Sequence, residues 1–367
     1  MRITIVVPHI RIAGGIRAPL EYANHLCRLG HTVAVVYPRR PPYYSQVKDY
    51  WLGWPGLVRG WRYDLRYWVN KAFKGPLPPW LPLESSLHRV PMLRSEFVPD
   101  ADVILAVDWT TSEWVHRYGA EKGIKFYRIA GYDTWLGPPE RVEATWRMSF
   151  HKVAASSWLK ELGRTRFGQE LYGPIIPGVN FDQFYVQHKR WNQPKRIGML
   201  YHSNPIKGVQ DGLTAFEIAQ ATHSDIRLVM FGAREPESSL PHDVEFHKNP
   251  PQEKLREIYG LCDIWLFPNH LEGCALVPME AMACQCALVA TEVGAIPDYT
   301  IPGTTALVSP PCDPEALARN LIRLLADEDE LKRIARAGYE YIRQFTWERS
   351  ARQMENLFEE ILQQRAC

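Results

Sequence analysis

At 367 residues the chain exceeds the length over which one hydrophobic core usually keeps growing, so two domains are expected. With 46% apolar and 23% charged residues the composition is that of an ordinary globular protein with a sizeable core. A formal net charge of +2 calls for no polyanionic partner, and nucleic-acid binding is disfavoured.

The chain opens MRITIVVPHI, a β-branched run too short for a secretory signal and stopped by Pro8. A loop with Gly14 and Gly15 follows, then a helical pattern over 18–29 with Pro19 in its first turn and Gly30 beyond its end. TVAVVY at 32–37 completes a β-loop-α-β unit, the building block of a parallel sheet. Further strands are expected at 101–107, 124–130 and 152–156, and a polar, broken stretch over 184–195 places a domain boundary at 187/188.

A second alternating series then runs RIGMLY, a helix after Gly208, IRLVMFG, VEFH, the helix PQEKLREIYGLC, DIWLF, an apolar helix and CALVA. The tail is helical from Asp313, with a last amphipathic segment opened by Trp347. The expected architecture is therefore α/β, two doubly wound domains (1–187 and 188–345) with the default ligand site in a cleft between them. No stretch approaches the ~20 apolar residues that span a bilayer. The seven cysteines are odd in number, sit mostly in apolar runs and form no CxxC pair, as expected of reduced thiols in a cytoplasmic protein.

The segment LEGCALVPME, residues 271–280, raises a physical question. Glu280 is the only ionisable group other than thiols between Gly273 and Ala290, and a carboxylate in so apolar a segment needs a partner. Glu272 lies in the loop after the strand DIWLF, and the helix start at Cys274, Ala275 and Leu276 offers backbone N–H groups to an anion. A diphosphate flanked by two carboxylates that accept from hydroxyls is the chemistry of a nucleotide sugar. A metal held by the two carboxylates ranks lower without a D-x-D-like cluster, and pairing of Glu280 with a core Arg or Lys is the structural alternative.

Here the sequence resembles the retaining GT-B glycosyltransferases of the family 4 type. Glu272 and Glu280 have that family's E-x7-E spacing, and the run from VEFHKNPPQEKLREIYGLCDIWLFPNHLEGCALVPMEAMACQCALVATEVGAIPDYT resembles its strands, EGFGL loop and EAMA helix in order. LVSPPCDPEALA and FTWERSA resemble its usual ending, while the Gly14-Gly15 loop, GHTV and IIPGVNFDQF match it in the first half. The resemblance implies the GT-B fold, with two Rossmann-like domains and a C-terminal helix, about 346–367, returning to the first. It further implies metal-independent transfer of a sugar, with retention, from a nucleoside diphosphate to a hydroxyl of a glycan, a lipid-linked acceptor or a small molecule. No cofactor is implied beyond the nucleotide-sugar co-substrate.

By the same resemblance Glu280 takes the ribose hydroxyls, Glu272 the donor sugar and Lys207 the diphosphate, while His247, Lys248 and Asn249 border the base. Gly14 and Gly15 would let backbone approach phosphate and acceptor. Asp133 in IAGYDTW is the first-domain catalytic candidate, with turn chemistry as the equal alternative. The sequence departs from the family at His202, where arginine is usual, and at Ala275, where glycine is usual. A hydrolase or epimerase on the same fold, and a non-catalytic binding subunit, are the rival readings. A dinucleotide dehydrogenase is disfavoured because Gly14-Gly15 is not G-x-G-x-x-G.

Residues 49–83 hold five of the thirteen tryptophans and an excess of Arg and Lys, with Trp61, Leu65, Trp68 and Phe73 on one helical stripe. Three readings stand: a helix docked on the first-domain core, an acceptor-lining segment, or an interfacial helix that brings the protein to the inner face of a membrane through residues 51–80.

Overall fold

The computed structural model describes residues 1–11, 14–39, 78, 80–236 and 244–366. Two compact units divide it, Met1–Ile175 with Trp347–Cys367, and Ile176–Thr346.

In the first unit, strands β1 (Arg2–Val6), β2 (Thr32–Pro38), β3 (Ser86–Val90), β4 (Val103–Ala106), β5 (Ile124–Ile129) and β6 (His151–Ala154) pair in parallel in the order β3-β2-β1-β4-β5-β6. Helices α1 (Gly14–Arg28), α2 (Trp109–Val115), α3 (Pro139–Arg147) and α4 (Ser157–Phe167) connect them. Residues 103–106, VILA, are buried throughout, as a parallel strand covered on both faces requires. Helix starts are marked by side-chain caps: Asp108 Oδ1 accepts from Thr111 N at 2.7 Å and Ser156 Oγ from Leu159 N at 3.3 Å. The edge strand β3 escapes the sequence reading because SLHRV is half-exposed and carries no apolar run.

The second unit repeats the plan. Its elements in chain order are β7 (Lys195–Leu200), α5 (Val209–Thr222), β8 (Ile226–Gly232), β9 (Val244–Lys248), α6 (Gln252–Leu261), β10 (Ile264–Phe267), α7 (Val277–Ala283), β11 (Ala287–Thr291), α8 (Ile296–Tyr299), β12 (Ala306–Ser309), α9 (Pro314–Ala326) and α10 (Glu328–Ile342). The sheet order is β12-β11-β10-β7-β8-β9, so β7 and β10 meet where the strand order reverses. Loops leaving the carboxyl ends of such a pair frame the ligand crevice of open α/β sheets. The loops at issue are 201–208 and 268–276, which carry His202, Lys207, Glu272 and Cys274.

The second unit begins at Ile176, twelve residues before the expected break. Phe184 is fully buried with its ring 5.8 Å from Tyr259, and Val186 O accepts from Gln285 Nε2 at 3.2 Å. The polar stretch beyond it is tied down as well, since buried Asp263 accepts from the backbone N–H groups of Asn192 at 3.0 Å and Arg196 at 2.8 Å. Polarity there marks chain that satisfies a buried carboxylate, and the break in contacts lies upstream. Val179 N donates to Phe345 O at 2.9 Å, so the segments by which the chain enters and leaves this unit run side by side.

The last helix, α11 (Trp347–Ala366), belongs to the first unit. Trp347 meets Tyr22 edge-on with ring centroids 5.5 Å apart, Phe358 lies 4.6 Å from Phe126, and His31 Nε2 reaches Glu355 Oε1 at 2.8 Å. The tryptophan-rich stripe falls almost wholly in residues 40–77, outside the described residues.

Candidate active site

Strand β10 ends at Phe267 and the chain turns through Pro268–Cys274 before α7. Glu272 Oε2 accepts from Lys207 Nζ at 2.6 Å and from Asn269 Nδ2 at 2.8 Å. The Lys207 and Glu272 side chains are 17% and 18% exposed, so water reaches the pair only partly and the attraction is screened less than between surface charges. Asn269 is buried, and its carbonyl accepts from Thr291 Oγ1 at 2.5 Å, which fastens the loop to β11.

Lys207 ends a short 3-10 turn, Pro205–Lys207, capped by Asn204 Oδ1 accepting from Ile206 N at 3.1 Å. Gly208 follows at φ +59°, and a Cβ there would lie 1.9 Å from Pro268 O. Only glycine combines a left-handed backbone with so close an approach, and this contact sets the Lys207 turn against the loop that carries Glu272. On the other side, a Cβ on Gly294 at φ +57° would lie 2.7 Å from the carbonyl oxygens of Glu272 and Gly273.

Glu280 is 6% exposed on α7, and Tyr259 Oη donates to its Oε2 at 2.8 Å. Helix α7 begins at Val277 with Leu276 as its N-cap, so Cys274 and Ala275 belong to the loop. The fully buried Tyr299 donates to Ala275 O at 3.3 Å, and burial pushes its hydroxyl well above the ordinary tyrosine range. His202 accepts from Asn204 N through Nδ1 at 3.0 Å, and burial, then the Lys207 charge, holds its pKa below the ordinary value.

The structure thus joins Lys207 directly to Glu272 and places His202 where it feels both charges. Lys248 closes β9 with its Nζ 3.0 Å from Glu235 Oε1, and Asn249 follows at φ +43° with its N–H on Gly232 O at 2.6 Å. Neither makes a described contact with Lys207, Glu272 or Glu280. His247 Nε2 lies 2.9 Å from Glu245 Oε1.

Gly14, Gly15 and Asp133 lie in the first unit. Gly14 and Gly15 open α1, and no atom of the described residues lies within 4 Å of a Cβ built at either. Asp133 follows β5 in a turn closed by Leu136 N donating to Asp133 O at 2.8 Å, and Tyr132 donates to Glu143 Oε1 at 2.5 Å. Sequence reasoning missed Asn269, Tyr259 and Tyr299. Asn269 stands three residues before Glu272 in the same loop, a spacing visible in the sequence, whereas the tyrosines reach the site from α6 and α8 at no fixed spacing.

A family model for glycosyl transferases group 1 matches residues 181–341. The D-inositol 3-phosphate glycosyltransferase of Corynebacterium diphtheriae is 31% identical over 210 residues, 50% of this chain and 49% of that protein. The enzyme of the same name from Streptomyces bingchenggensis is 28% identical over 372 residues, covering 92% of this chain and 71% of that protein. The chain spans about half or less of the length of several curated relatives it matches, such as 30% of that from Corynebacterium urealyticum. Among solved structures, that of Anabaena HepE in complex with UDP and glucose superposes with a TM-score of 0.69 at 13% identity, covering 98% of this chain and all of that one (100%). That likeness and the two parallel sheets make the fold GT-B. Residues 181–341, which make up most of the second unit, are thus the part of the chain that is similar to the glycosyl transferases group 1 family.

Proposed function

We propose that the protein is a retaining, metal-independent glycosyltransferase that moves a sugar from a nucleoside diphosphate to a hydroxyl of a glycan, a lipid-linked acceptor or a small molecule. The observation that carries this reading is the Lys207–Glu272 pair, 2.6 Å apart at the reversal point of the second sheet. A diphosphate arriving there would take the ammonium from the carboxylate, freeing Glu272 to accept from sugar hydroxyls. Glu280, oriented by Tyr259, would accept from the ribose. The HepE complex with UDP and glucose and the names of the curated relatives support a nucleotide-sugar donor.

In the step envisaged, the bond from the anomeric carbon to the β-phosphate oxygen breaks, and a new bond forms to the acceptor oxygen on the same face. The acceptor proton passes to the departing diphosphate. Charge develops on that diphosphate, so an ammonium already placed beside it stabilises the transition state more than the ground state. His202, beside Lys207, is a proposed contact of the diphosphate, and Gly14, Gly15, Asp133, Lys248, Asn249 and the backbone of Cys274 to Leu276 are proposed contacts of donor or acceptor.

The test is release of nucleoside diphosphate from a panel of nucleotide sugars with and without acceptor, with product anomeric configuration read by NMR. Lys207→Ala and Glu280→Ala should each cut turnover by about a hundredfold or more with the fold retained. Near-normal turnover in either sinks the site, donor turnover that ignores acceptor makes the protein a hydrolase, and turnover that is lost in EDTA and returns with magnesium or manganese removes metal independence.

A cytoplasmic setting, peripheral on the membrane's inner face, is part of the proposal. The basic, tryptophan-rich composition of 51–80 supports it, and no described helix is long and apolar enough to cross a membrane. Co-sedimentation with anionic liposomes tests the contact, and pelleting that does not depend on lipid ends it.

A further inference from the structure

Beside the Lys207–Glu272 pair, three side chains from three separate elements converge for which the proposed transfer has no use. Asp211 lies in the first turn of α5, His270 in the loop after β10 and Cys312 just before α9. One potential ligand atom from each lies within 4.8 Å of the other two. His270 Nε2 and Asp211 Oδ2 are already 2.8 Å apart.

Their chemistry matches one class of ion. A carboxylate oxygen, an imidazole nitrogen and a thiolate are a borderline-soft donor set that suits zinc or cobalt(II) and is poor for magnesium or calcium. Around an ion with bonds of about 2.0 Å to nitrogen and oxygen and 2.3 Å to sulfur, tetrahedral ligand atoms stand roughly 3.3–3.7 Å apart. The His–Asp pair therefore needs to open by only about half an ångström.

The surroundings favour such a use. Asp313 next door is engaged otherwise, capping α9 by accepting from Ala316 N at 2.8 Å. Cys312 itself holds φ +60°, a left-handed conformation that a non-glycine residue adopts at a cost, and it is exposed. The other described cysteines are buried or half-buried. His270 is anchored by its own N–H on Ile206 O at 2.8 Å, so its position is set by the turn that ends in Lys207.

We propose that Asp211, His270 and Cys312 form a binding site for a thiophilic divalent cation such as zinc, with a fourth position open to water. Binding displaces the thiol proton of Cys312 to solvent and replaces the His270–Asp211 hydrogen bond by two metal bonds. The ion would tie α5, the 268–274 loop and the start of α9 together. That brings the metal's hold to within two residues of Glu272, without giving the metal a part in the transfer step.

The test is cobalt(II) titration of the full chain, tag-free and kept reduced, followed by the near-ultraviolet charge-transfer band of a cobalt–thiolate bond, and zinc competition for the bound cobalt. One equivalent is expected. Cys312→Ser should abolish the band, and His270→Ala should weaken zinc binding by about tenfold or more. Cys312 is exposed, so its variant is expected to unfold as the parent does, and circular dichroism controls for the fold of His270→Ala. The proposal is overturned if the parent takes up no cobalt, if the band survives in Cys312→Ser, or if zinc affinity is unchanged in folded His270→Ala. None of these readouts depends on turnover, so they stand apart from the glycosyl-transfer reading.

Discussion

Tyr259→Phe removes the hydroxyl that donates to Glu280. Both partners are buried, and the removed hydroxyl donates to a carboxylate at 2.8 Å. The ring keeps its place, with centroids 4.8 Å from Trp265 and 5.8 Å from Phe184 and Phe231, so the substitution opens almost no cavity. A hydrogen bond to a charged group is worth about 1.5–3 kcal/mol, and Glu280 is left with one donor fewer in an apolar setting. The unfolding equilibrium of the second unit should therefore shift by roughly 10- to 150-fold toward the unfolded side. Urea unfolding followed by tryptophan fluorescence reads this as a lower midpoint at unchanged slope. Combined with Glu280→Gln, the double-mutant cycle should show a coupling energy of at least about 1 kcal/mol. If Glu280 holds a ribose, Tyr259→Phe also raises the donor KM more than it lowers kcat. A loss below about 0.5 kcal/mol, or additive variants, would refute the claim that the Tyr259 hydroxyl stabilises the buried Glu280 carboxylate.

Gly208→Ala should cost at least about 2 kcal/mol, because the left-handed backbone and the contact with Pro268 O penalise it together; an unchanged urea midpoint would show that the turn can move aside. Burial and the Arg11 charge lower the pKa of His9 to about 4. The folded state thus resists a proton that the unfolded chain takes up near pH 6.5, so stability is full above about 6.5 and falls as pH drops toward 4, by at most about 3 kcal/mol. His9→Asn should flatten that part of the pH–stability curve for the first unit, and an unaltered slope counts against it. His202→Arg should keep or raise turnover and lessen its pH dependence on the acid side of neutrality, where the histidine, its pKa held below the ordinary value, takes up its proton. Complete loss of turnover would give His202 a role that its neutral ring performs.

The strands of both sheets were legible where burial on two faces makes the sequence uniformly apolar, as in VILA and IWLF. Strand β3 was not, because an edge strand has only one neighbour and SLHRV alternates with solvent. The unit boundary was misplaced for a related reason: Asn192 and Asp263 are polar yet belong to the interior hydrogen-bond pattern, and polarity by itself does not separate a linker from a tied-down segment. At the site, Glu280 signalled its need for a partner by standing alone in an apolar run. The identity of the partner was hidden, since Tyr259 comes from α6 and only the folding of that helix against α7 brings the hydroxyl to the carboxylate. The Lys207–Glu272 contact spans 65 positions and depends on Gly208 touching Pro268, a proximity that no periodicity encodes.

The hydrogen bond from Val179 to Phe345 gives the second unit a common doorway for chain entry and exit. A segment bounded in this way can be cut out or exchanged as a cassette, because its two cut ends already lie together and a short linker can close them. Residues 176–346 are then the natural unit for a chimera: a relative's corresponding segment could be transplanted between Ile175 and Trp347 while α11 keeps its place on the first unit.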